Sequence, residues 1–170
     1  MANTYTLIEA KTLSSATASI TFSSIPQTYT DLKIFASARG TAAVSLGSNS
    51  LLLKLNAITT GYTSKWLYAS GSSPGSTSGG PDSLGTMNFA NDTASTFNSA
   101  EIYIPNYTSS NAKSCSVDSV SENNSNTVNE LDLLAKLNTT TDAITSITLT
   151  PETGNFATHS NFYLYGIKNS

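Results

Sequence analysis

Apolar side chains recur at every second residue in most segments of this chain between Tyr5 and Ile167. Only a pleated strand sends alternate side chains to opposite faces, so this period constrains the fold to sheets rather than helices. The closing stretch, AITSITLTPETGNFATHSNFYLYGIKNS, shows it most plainly. Ile144 and Ser146 oppose Thr145, Ile147 and Leu149, while beyond a Pro/Gly break Phe162, Leu164 and Gly166 oppose Tyr163, Tyr165 and Ile167. Two such runs around one break predict a closing hairpin, with the last residues completing a sheet.

The same alternation predicts strands upstream. Tyr5 and Leu7 alternate with Thr4, Thr6 and Ile8; Ala18, Ile20 and Phe22 share a face; Leu32, Ile34, Ala36 and Ala38 oppose Lys33, Phe35, Ser37 and Arg39. Leu51, Leu53 and Leu55 line one side of the next run, and Tyr62, Ser64, Trp66 and Tyr68 fall together in another. Farther along, Ile102 and Ile104 oppose Glu101 and Tyr103, and Lys113, Cys115 and Val117 share a face. TVNELDLLAKLN is ambiguous: Thr127 with Glu130 matches a helix capping box, whereas Leu131, Leu133, Ala135 and Leu137 alternate with period two. Asn-rich turns and strand patterns on either side assign it as a strand.

Ser and Thr approach a third of the residues and charged residues are only 11%. Thr suits the faces of strands, while the charged helix formers are scarce, so composition agrees with periodicity. These features predict an all-β protein, a single antiparallel β-sandwich domain over 1–170, jelly-roll-like, with a long exposed Gly/Ser-rich loop at about 70–85. A net charge of −3 with basic residues scattered singly offers no stripe to neutralise phosphates, so nucleic acid is not an expected partner. No signal-like start and no membrane-length apolar run is visible, so no membrane is expected and synthesis is placed in a cytoplasm. One cysteine, Cys115, excludes an internal disulfide and reads as a small buried hydrophobe.

Candidate chemistry is thin. GSSPG at 71–75 has the lettering of a nucleophile elbow around Ser73, but that motif needs a strand before it and a helix after it, and neither flank is present. His159, the sole histidine, stands beside Thr158 and Ser160 with no acidic neighbour to orient it as a base. Ser110 and Lys113 have SxxK spacing on a strand pattern, where they cannot share a helical face. No catalytic, cofactor-binding or metal-ligating residue is assigned, no cofactor is expected, and the protein is predicted not to be an enzyme. Trp66 with Tyr62 and Tyr68 has two readings, packing in the core or a stacking platform for sugars.

The segments YTLIEAKTL, ITFSSIPQTYTDLKIFASARG, SVDSVSENN and AITSITLTPETGNFATHSNFYLYGIK resemble a family of small virion structural proteins of tailed bacteriophages, particularly those of marine and cyanobacterial hosts. The most specific parts are IPQTYTDLKI, with Pro26, Tyr29, Asp31 and Leu32, and LYGI at Leu164 to Ile167. The middle of the chain matches poorly, and a Trp typical near Ala135 to Leu137 is missing here. The resemblance implies a jelly-roll-like sandwich used as a capsid decoration or cement protein on the virion, and it carries over no catalytic residue. Implied partners are the major capsid protein or other virion subunits, with a homo-oligomer, favourably a trimer, as the assembly. The alternative role is a tail fibre, tail-tip or nozzle-associated protein that binds host-surface glycan.

Overall fold

A computed structural model describes residues 4–44, 49–78, 82–124 and 130–168. Its twelve strands form two antiparallel sheets packed as a β-sandwich. The larger sheet orders its strands as β1 (Tyr5–Thr12), β12 (Asn161–Ile167), β3 (Asp31–Ala38), β8 (Asn98–Ile104), β9 (Lys113–Ser121), β10 (Glu130–Asn138), β5 (Tyr62–Ser70) and β6 (Ser73–Thr77). The smaller sheet runs β2 (Ile20–Phe22), β11 (Ile147–Pro151), β4 (Ser50–Leu55) and β7 (Ser83–Thr86).

The core lies between the sheets and is built by the alternation the sequence shows. Leu32, Ile34 and Ala36 of β3, Leu51, Leu53 and Leu55 of β4, and Phe162 and Leu164 of β12 are all buried in one core cluster between the sheets. Each fully buried Leu, Ile or Phe contributes roughly 1.5–3 kcal/mol by leaving water. ELDLLAKLN is a strand, and Thr127 of the possible capping box lies outside the described residues.

Two expectations are corrected. The final two strands do not form a hairpin: β11 pairs with β2 and β4 in the small sheet, whereas β12 pairs with β1 and β3 in the large one. Both runs bury one face in the same core from opposite sides, and the connection crosses between sheets over Phe156, whose backbone bonds to Thr17 and whose ring packs at 4.8 Å from Phe162. Nor is 70–85 one long exposed loop. Ser73–Thr77 adds an exposed edge strand to β5, held by backbone pairing that requires no apolar side chains, and Ser83–Thr86 is buried throughout beneath β9 and β10.

IPQTYTDLKI and LYGI meet in space. Thr30 N donates to the Ile167 carbonyl at 2.8 Å, Leu32 pairs with Gly166, and the Tyr29 ring lies flat against Gly166, where an added Cβ would sit 2.3 Å from Tyr29 Cγ. Asp31 is buried and accepts from Tyr103 Oη and from the Asn106 N–H, each at 2.8 Å, while the Tyr107 hydroxyl donates to the Pro26 carbonyl. These contacts fix the turn before β3 against the end of β12.

Candidate functional site

β10 is inserted with its polar side inward. Glu130, Asp132, Lys136 and Asn138 are buried with Leu134, while Leu133, Ala135 and Leu137 are exposed. Alternation alone predicts the leucine face inside; the structure inverts it because the neighbour beneath is β7, where the Ser83 carbonyl and Thr86 offer hydrogen bonds and Gly85 leaves room for polar side chains. Asp132 Oδ2 accepts from the N–H and the hydroxyl of Thr86, each at 2.6 Å, and Oδ1 accepts from Trp66 Nε1 at 2.8 Å. Three donors compensate the buried carboxylate and tie the edge of the small sheet to the large one. Gly85, at φ +97°, brings its backbone so close that a Cβ would lie 2.8 Å from Asp132 Oδ2.

One row of residue pairs separates Asp132 from Lys136 along the strand. Lys136 Nζ donates to the Ser83 carbonyl at 3.0 Å and sits 5.0 Å from the centre of the Tyr62 ring. Burial pushes its ammonium down to about 8, against the favourable influence of Cys115 and Asp82. Cys115 is its cross-strand partner on β9, and burial drives that thiol up to about 12, opposed by Lys136. A thiol so held stays protonated and is a poor nucleophile. Burial likewise raises the Glu130 carboxyl, with Ser70 opposing, and raises the Tyr62 phenol, whose oxygen accepts from Leu55 N–H at 2.8 Å.

The residues singled out in the sequence are not assembled into a reactive centre. Ser73 is exposed at the start of the edge strand β6, and His159 is exposed in the turn before β12 with φ +71°. β6 and β12 stand six strand positions apart, roughly 29 Å at about 4.8 Å per spacing, so the two cannot act as nucleophile and base. Ser110 is exposed, and the buried Lys113 donates from Nζ to the carbonyls of Ser109 and Asn111 at 2.6 Å each, its ammonium lowered by burial. Among the described residues, no group of three or more His, Cys, Asp or Glu side chains is placed to hold a metal ion. No helix among them is long and apolar enough to cross a membrane.

Tyr62, Trp66 and Tyr68 share the inward side of β5, where Trp66 and Tyr68 are half-buried. Tyr62 is buried, the Trp66 indole is anchored to Asp132, and Tyr68 lies against Gly75 of β6. The exposed large apolar groups are elsewhere, on the outer face of the large sheet, in two patches. Tyr5, Leu7, Phe35 and Tyr163 form one across β1, β12 and β3; Leu67, Leu133 and Leu137 form the other across β5 and β10. Lys33 lies 5.2 Å from the Phe35 ring centre and 6.0 Å from that of Tyr5, and pairs with Glu101 at 2.5 Å, so the aromatic patch carries charge at its border. No family model, no curated protein and no solved structure matches this chain. The site therefore rests on its own geometry. It is a sheet face with two exposed apolar patches, backed by an interior in which Asp132 and Lys136 of β10 are hydrogen-bonded.

The outward leucines of β10 were in view in the sequence, but their direction was not. A possible signal was Gly85 with Thr86: small residues opposite a strand leave room for inward carboxylate and ammonium groups.

Proposed function

We propose that this protein is a non-enzymatic structural subunit of a tailed-phage particle, a capsid decoration or cement protein that binds the major capsid shell in many copies. The observation that carries it is the uncovered outer face of the eight-stranded sheet, where seven large apolar side chains are at least 36% exposed. Exposed apolar groups gathered on one surface favour a macromolecular contact over solvent. The aromatic patch supports shell docking: Tyr5, Phe35 and Tyr163 supply broad rings with polar tips, and Lys33 and Glu101 supply a charged rim that sets orientation. Burial of the thiol and lysine in the interior fits a part selected for cohesion rather than turnover.

Imaging of intact particles at subunit resolution tests the proposal. The expected result is density for this sandwich over the shell, with the β1, β12 and β3 face toward the capsid subunits. Density confined to the tail assigns it to a tail-associated role, and absence from assembled particles overturns the proposal.

A further inference from the structure

The second patch on the large sheet has a charge pattern of its own. On the outer surface Asp118, Leu133 and Leu67 share one row across β9, β10 and β5, and Ser116, Ala135 and Lys65 share the next. Leu67 is 59% exposed, the highest of any large apolar side chain among the described residues, with Leu133 at 42% and Leu137 at 39%. Ala135, small between the leucines, leaves a depression that belongs to a groove of about 630 Å³, with Ser76 to Ser78 as its outer wall. The surface thus has an apolar centre on β10, an anion on the β9 flank and a cation on the β5 flank.

That arrangement is self-complementary. A two-fold axis lying in the interface and parallel to β10 places the β9 of one copy over the β5 of the other. Each Asp118 then falls within one row, about 7 Å along the strand, of the other copy's Lys65, inside the reach of a lysine side chain. The contact occurs twice, while Leu133 and Leu137 of one β10 meet the same residues of the other at the centre. We propose that this face binds a second copy of the same chain in a face-to-face dimer.

The footprint spans three strands and about six residues, roughly 15 Å by 20 Å, so the two copies bury about 600 Å² between them, less than a standard specific interface, and the expected dimer is weak and concentration-dependent. The dimer does not depend on what the aromatic patch binds, and it forms without any other component.

Sedimentation of the purified chain from about 1 to 500 μM reads this directly, because the expected weak dimer would titrate across that range. The expected outcome is a concentration-dependent rise to twice the 17.8 kDa chain mass. Leu133→Glu and Leu67→Glu, both at exposed positions and checked for folding by circular dichroism, are expected to weaken association by about tenfold or more. Lys65→Glu and Asp118→Lys are each expected to weaken it by about fivefold, and the double exchange to restore it, since the charges are then swapped across the two-fold. A monomer over the whole range overturns the proposal. So does association that ignores the leucine substitutions, or a double exchange no tighter than its single parents.

Discussion

The Trp66 indole N–H donates to Asp132 Oδ1 at 2.8 Å while Thr86 donates twice to Oδ2, so one buried carboxylate joins β5, β10 and β7. Asp132→Ala leaves three donors without their acceptor and is expected to cost about 3–5 kcal/mol, whereas Trp66→Phe removes one charge-assisted bond for about 1.5–3 kcal/mol. Urea unfolding followed by circular dichroism gives both values. An Asp132→Ala protein as stable as the parent would show that the two sheets are held together at this edge by other contacts.

Gly85 is predicted to resist substitution for two reasons that act together. Its φ of +97° lies where side chains are strained, and the Cβ of an alanine would press against Asp132. Gly85→Ala is expected to destabilise by about 2–4 kcal/mol. Gly85→Ala combined with Asp132→Ala should cost less than the sum, because the clash disappears along with the carboxylate; strict additivity in a double-mutant cycle would contradict the contact.

Stability should have an alkaline maximum set by the Lys136 and Cys115 pair. Lys136 falls from 10.5 to about 8 in the folded chain, so between those values the unfolded state holds more protons and stability rises with pH. Cys115 moves the other way, from 9.0 to about 12, so above 9 the folded state holds more protons and stability declines. The gain is therefore clearest between pH 8 and 9, the two groups oppose each other up to 10.5, and the loss dominates above that. Thermal unfolding across this range should show the rise vanish in Lys136→Met and the alkaline decline lessen in Cys115→Val. A Lys136→Met protein that keeps the rise would assign it to another group.

Arg39 is buried and directs its guanidinium at the loop that follows β7. Nη1 donates to the carbonyls of Thr93 and Thr96 at 2.8 Å each, and Nη2 to that of Asp92 at 3.0 Å. Arg39→Met keeps the stem but takes the guanidinium donors from those carbonyls, of which that of Thr93 still accepts from the Thr96 N–H and hydroxyl, at an expected cost of about 2–4 kcal/mol. Hydrogen exchange should accelerate at Asp92 and Thr96, whose amides close turns onto Phe89 and Thr93. Unchanged exchange there would mean that the loop is ordered without the guanidinium.

Much of the fold was legible because sheets have a period of two. The inward residues of β3, β4, β9 and β12 are those the alternation groups together, and Cys115 is buried as its type suggests. The edge strand β6 was hidden because Ser73–Thr77 has no apolar pattern and is held by backbone bonds to β5, which any sequence of compatible conformation can make. The candidate site was hidden for a related reason. Period two says that Leu133 and Asp132 point opposite ways, but not which of them points in.

By itself, the sequence determined the strands that carry an apolar alternation and which side chains share a face in each, since those follow from local backbone geometry. Tertiary structure alone decided that β11 and β12 belong to different sheets and that β10 turns its charges inward. Both depend on what lies across the sandwich: β12 finds its partners in β1 and β3, and Asp132 and Lys136 are stable inside only because Thr86, Trp66 and the Ser83 carbonyl, distant in the chain, meet them there.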